Sequence, residues 1–172
     1  TFTNNTQTIV YQYTASGKKL KETTSTGDVT DYVGNIIYKN GTVYQVSHDE
    51  GRTVNNVFEY DIKDHLGSLR VSFKDSVGIA KVTQESHTGV FGDVLPSLVY
   101  TNTPKTDNFD YTGHERLKAF NIGYIDAGAR WMDPILGRFV QIDQLAETSR
   151  RWSPYTYAFN SPLMLIDPDG ME

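Results

Sequence analysis

Apolar and polar residues alternate through the first half of the chain. Ile9-Val10-Tyr11-Gln12-Tyr13 and Thr42-Val43-Tyr44-Gln45-Val46 both place side chains on opposite faces in turn, the period-2 pattern of a β-strand. Ser16-Gly17, Lys39-Asn40-Gly41 and Glu50-Gly51 punctuate these runs. Asn-Gly suits a two-residue hairpin turn, because both central positions need positive φ. Gly17, Gly34, Gly51 and Gly67 recur at intervals of 17, 17 and 16 residues, each followed closely by apolar positions such as Leu20, Ile36, Ile37, Val54 and Leu69. A short fixed period with a glycine turn predicts stacked strand-turn-strand units. A single β-meander with coincidental glycine spacing gives the same pattern.

The pattern changes further on. Residues 75–111 read as two loops flanking short strands, one of them Ser97-Leu98-Val99-Tyr100. Helix signals follow only after Gly123. Asp143 before Gln144-Leu145-Ala146-Glu147 has the chemistry of an N-cap. Ser153-Pro154 before Tyr155 to Phe159 places Pro at a first helical position, and Asn160-Ser161-Pro162 ends that segment. Two helices of about six to eight residues are predicted, both capping a β-body. The expected fold class is all-β: stacked β-hairpins with short C-terminal helices.

Composition narrows the function classes. At 172 residues the chain is one domain or a piece of something larger, and it starts in mid-pattern as a fragment would. Hydrophobic content of 38% is low, so the core must draw on eleven Tyr and eight Phe. The alternative is that many of these rings stack along an open sheet. No apolar run is long enough to span a bilayer. The absence of Cys excludes disulfides and thiolate metal sites. A net charge of −5 without a basic stripe disfavours nucleic acid. His48, His65, His87 and His114 lack metal-site spacing, so neither metal nor cofactor is expected.

The last third carries the most specific pattern: Gly128-Ala129-Arg130-Trp131-Met132-Asp133-Pro134-Ile135-Leu136-Gly137-Arg138-Phe139, then Ile142-Asp143, and finally Asp167-Pro168-Asp169-Gly170-Met171. With Tyr60-Asp61, Asp64-His65-Leu66-Gly67-Ser68-Leu69-Arg70-Val71 and Thr112-Gly113-His114-Glu115-Arg116, it resembles the RHS/YD-repeat family and its C-terminal core domain. The resemblance covers about Tyr32 to Met171. It implies terminal shell hairpins over 1–110 and an RHS core over 111–172. It also implies an extracellular or surface-delivered bacterial protein, whose shell encloses or displays a C-terminal effector. Its partners would be the preceding repeats, or another protein completing the shell, and the effector.

By the same resemblance, the chain cuts itself after Met171, at the Met171–Glu172 bond. Asp143 and Asp167 would act as a carboxylate pair, with Arg130 holding the geometry. The residue types suit the task. Two carboxyls in one site separate into an acid and a base, and an arginine can fork onto one of them. Cutting in cis needs little binding energy, since the chain supplies proximity. The plainer roles are an N-cap for Asp143 and a turn for Asp133, with Pro134 and Gly137. The sequence departs from the family at Gln144, in place of Pro, at Trp131-Met132, at Val140-Gln141, and at Met171, in place of Leu. Three functions follow: an autoproteolytic shell end, a non-cutting structural plug, and an adhesive or glycan-binding surface module. An open repeat array also exposes strand edges, which predicts a need for more chain or a partner.

Overall fold

The computed structural model describes residues 1–3, 7–101, 107–117 and 122–171. Among the described residues, eleven antiparallel strands form one sheet in strict sequence order. They are β1 (Phe2–Thr3), β2 (Thr8–Tyr13), β3 (Lys19–Thr24), β4 (Val29–Val33), β5 (Ile36–Lys39) and β6 (Thr42–His48). β7 (Gly51–Val54), β8 (Val57–Lys63), β9 (Leu69–Ser76), β10 (Ile79–Glu85) and β11 (Tyr100–Thr101) complete it. Hairpin stacking and a continuous meander are therefore one arrangement. The glycine period marks every second turn, since Gly17, Gly34, Gly51 and Gly67 lie at the β2–β3, β4–β5, β6–β7 and β8–β9 connections. These turns share one margin of the sheet. Asn40-Gly41 and Asn55-Asn56 turn the opposite margin with positive φ at both residues, as tight hairpins require.

A second sheet of four short strands follows: β12 (Glu115–Arg116), β13 (Ile125–Asp126), β14 (Trp131–Asp133) and β15 (Arg138–Phe139). Its apolar centre joins Tyr111, Ile125, Ala127, Met132, Phe139, Tyr157 and Ala158, with Phe91 against them. Aromatic rings do carry this core. Phe139 and Tyr157 meet edge to face at 5.6 Å, a favoured ring geometry.

One face of the large sheet buries polar side chains, Gln45, Arg52, Glu59, Ser72 and Gln84, together with Val54. Arg52 pairs with Glu59 at 2.6 Å and lies 3.5 Å from Asp107. The opposite face carries rings along the strands, with Tyr60 stacked on Phe73 at 5.4 Å and Phe58 against Tyr60 at 4.6 Å. Both expectations for the rings are met, in different parts of the chain.

The strand expected at Ser97–Tyr100 shrinks to Tyr100–Thr101, because a turn closes with Leu98 N–H donating to Leu95 O. Neither predicted helix forms. After Asp143 the chain makes successive turns, with amides reaching back three residues from Ala146, Thr148 and Ser149. Between Ser153 and Phe159 two of the carbonyls a helix would use are taken by other segments. Pro154 O accepts from the Asp143 amide and from Arg130, and Tyr155 O accepts from the Phe139 amide. Only a 3-10 turn at Ala158–Asn160 remains, and all three of its residues have positive φ. Tertiary hydrogen bonds outweigh a modest local propensity here.

Candidate functional site

The turn between β13 and β14 delivers Arg130 inward, where only 2% of its surface is exposed. Its guanidinium lies over the Phe139 ring, 3.8 Å from the centroid. Each nitrogen has a separate task. Nε donates to Gly170 O, Nη1 donates to Pro154 O at 3.3 Å, and Nη2 donates to Asp167 Oδ2 at 3.2 Å. Nη1 also lies 3.5 Å from Asp143 Oδ2. The three residues singled out by the sequence thus come together, and Arg130 bridges both carboxylates where a grip on one was expected. Burial pulls the Arg130 pKa below the usual guanidinium range, against the opposing charges of Asp143 and Asp167. An arginine buried this deeply needs such partners.

Asp167 has no exposed surface. Its Oδ1 accepts the Gly170 and Met171 amides at 2.8 and 3.0 Å, so the carboxylate folds the following turn around itself. His114 Nε2 lies 3.1 Å from the Asp167 carbonyl oxygen. Ala129 N–H donates to Asp169 O at 3.0 Å, fastening the same turn from outside. Gly170 has φ +75, and a Cβ there would stand 2.9 Å from the Arg130 amide nitrogen and 3.0 Å from Ala127 O. Only glycine fits that approach. Glu172, on the far side of the expected scissile bond, lies outside the described residues.

Asp143 caps no helix; its Oδ1 accepts the Leu145 amide at 2.7 Å in a turn, and its Oδ2 adds the Arg130 contact. Asp133 forms a turn as expected. Its Oδ1 accepts the Ile135 and Leu136 amides, and Gly137 N–H returns to its carbonyl. Arg138 is exposed, and Asp169 is exposed and accepts the Met171 amide at 3.1 Å.

A second charged cluster stands beside this site and was not singled out from the sequence. Lys19 Nζ lies 2.8 Å from Glu115 and 2.7 Å from Asp126, and its ammonium sits over the Tyr11 and Tyr32 rings. Tyr13 Oη donates to Asp126 at 2.8 Å and accepts from Trp131 Nε1 at 3.1 Å. Burial lowers the Lys19 pKa, but Glu115 and Asp126 raise it by more, so the net shift is upward. The cluster borders a cleft of about 430 Å³ that Pro168 and Asp169 also line. Only the Thr-Gly-His-Glu-Arg motif hinted at its Glu115. Among the described residues no group of three or more His, Asp or Glu side chains could hold a metal. Nor is any helix among them long and apolar enough to cross a membrane.

With this geometry in place, the solved structures decide the fold. TcdB2-TccC3-TEV superposes with a TM-score of 0.74 at 17% identity, over 94% of this chain and 9% of that one. The fold resembles part of the TcdB2-TccC3 chains. TcdB2-TccC3-Cdc42 gives 0.73 at 19% identity, over 95% and 9%. TcdB2-TccC3 without its hypervariable C-terminal region gives 0.70 at 18%, over 94% and 9%. These likenesses establish the all-β architecture and are consistent with an RHS-related fold. No protein-family model matches the chain. Salivary gland surface protein 1 of Aedes aegypti is 29% identical over 161 residues, spanning 83% of this chain and 4% of that protein. The chain therefore corresponds to a small share of each of these longer proteins.

Proposed function

We propose that this chain closes an RHS-type β-shell. Residues 1–110 supply the last hairpins, and residues 111–172 form a core that holds the chain's own C-terminal segment for cutting in cis at Met171–Glu172. The observation that carries this reading is the Arg130 fork, with Asp143 on one arm and Asp167 on the other. Asp167 also grips the amide of Met171, the residue whose carbonyl would be attacked. In that reaction one aspartate takes a proton from water as the oxygen adds to the Met171 carbonyl carbon. The other protonates the Glu172 nitrogen as the C–N bond breaks, leaving a carboxylic acid and a free amine. Arg130 fixes both carboxylates and, through Gly170, the approach of the bond.

Chain beyond Glu172 would be the effector that the shell encloses or displays. One similar structure is a form without a hypervariable C-terminal region, which supports a variable C-terminal segment in chains of this fold. The name of the mosquito relative supports an extracellular or surface location. That relative is an animal protein, so the likeness does not favour a bacterial source.

A specific observation favours the plug as second reading. Both oxygens of Asp167 and both of Asp143 are already engaged by amides or by Arg130. Substitutions in a chain extended past Glu172 separate the two. Asp143→Asn and Asp167→Asn should each abolish the appearance of the mass ending at Met171, while Asp133→Asn should disturb folding or solubility more than cutting. Cleavage of the Asp143→Asn chain at the wild-type rate would remove Asp143 from the mechanism.

A further inference from the structure

The turn that carries Arg130 is held from its other side by the β2–β3 hairpin, over a hundred residues earlier in the chain. Asp126, at the start of that turn, directs Oδ1 to the Gly128 amide at 3.1 Å, shaping the turn itself. Its Oδ2 faces the hairpin, receiving the Tyr13 hydroxyl at 2.8 Å and the Lys19 ammonium at 2.7 Å. Trp131, directly after Arg130, donates its indole N–H to the same Tyr13 hydroxyl. The hairpin tip meets the turn backbone to backbone. A Cβ on Gly17 would stand 2.9 Å from the Ala129 nitrogen, the same amide that donates to Asp169. The residues flanking Arg130 on both sides are thus fixed by a shell hairpin, while Arg130 and Ala129 fix the C-terminal segment.

We propose that Tyr13 and Lys19 are positioning residues for the Arg130 site, so that the C-terminal segment is held ready for cutting only when the β2–β3 hairpin is seated against the 126–131 turn. The inference rests on the self-cleavage reading for its effect on rate. Its structural half, the seating of Gly170 and Met171, stands without that reading. Docking of a shell strand thereby becomes a condition for cutting, and a chain with an unseated hairpin stays uncut. Misplacement of a reacting group by about 1 Å is enough to slow such a step severely.

The test uses the chain extended past Glu172. Tyr13→Phe removes one hydroxyl, and with it two hydrogen bonds, while keeping the ring. Lys19→Met removes the ammonium, and Lys19→Arg restores a cation. Two readouts are taken under conditions where every variant is folded: the first-order rate of release of the product ending at Met171, and hydrogen exchange at the Gly170 and Met171 amides. Tyr13→Phe and Lys19→Met should cut at least about tenfold more slowly and exchange faster at those amides. Lys19→Arg should recover most of the rate. A purely structural contribution would lower the unfolding midpoint while leaving the rate of the folded population unchanged. Variants cutting at the wild-type rate would overturn the proposal. If the wild-type chain does not cut, the self-cleavage reading fails, and exchange alone decides. Faster exchange in Tyr13→Phe would sustain the seating role, and unchanged exchange would end it.

Discussion

Arg130 and Asp167 are 37 residues apart in the chain, yet Nη2 and Oδ2 meet at 3.2 Å with both side chains out of solvent. That contact ties the end of the described chain to the centre of the small sheet. It also makes the arginine hard to replace. Breaking a buried pair from one side leaves a charge without its partner, at a cost of roughly 3–5 kcal/mol. Arg130→Met should lower stability by about that amount in urea titrations and should loosen the turn at Gly170. A loss of less than about 1 kcal/mol, in the range of a surface pair, would show that the contact contributes no more than an exposed one.

The β9–β10 turn should be improvable. Val77 has φ +57 with its side chain almost fully exposed, at 98%. A β-branched residue in that region is strained, and no packing compensates. Asn40 and Asn55 occupy comparable hairpin positions with φ +49. Val77→Asn should stabilise the sheet by about 1 kcal/mol, read as a higher urea midpoint with unchanged slope. A lower midpoint would mean that the exposed valine meets something beyond this chain.

Glu22 gives a pH-dependent expectation. Burial raises its pKa, and Glu115 adds to the rise against Lys19 and Lys39. With the folded value above the unfolded one, the fold gains most at acid pH and loses that gain as pH rises through the folded value. Glu22→Gln should therefore raise the melting temperature near neutral pH and leave it unchanged below the ordinary carboxylate range. Equal effects at both pH values would exclude ionisation as the cause.

Local pattern carried the fold further than the site. Alternation at Ile9–Tyr13 and Thr42–Val46, and the Asn40-Gly41 turn, were legible because strand faces and tight turns depend on neighbouring residues. The Tyr155–Phe159 segment was misread because the carbonyls of Pro154 and Tyr155 bond to Arg130, Phe139 and Asp143. Helix signals cannot register such distant competitors. Arg130, Asp143 and Asp167 were found through a resemblance in motif, and their convergence needed the structure. The Lys19–Asp126–Tyr13 cluster went unseen because its members are ordinary strand residues until two sheets bring them together.

Cutting at Met171–Glu172 is read directly from the intact mass of a chain extended past Glu172, followed over days at several protein concentrations. Self-cleavage should yield a fragment ending at Met171 that appears with first-order kinetics and a rate independent of concentration, since attacker and target share one chain. A full-length species that persists in the folded protein would contradict self-cleavage and leave the Arg130 site as a structural lock on the C-terminal segment.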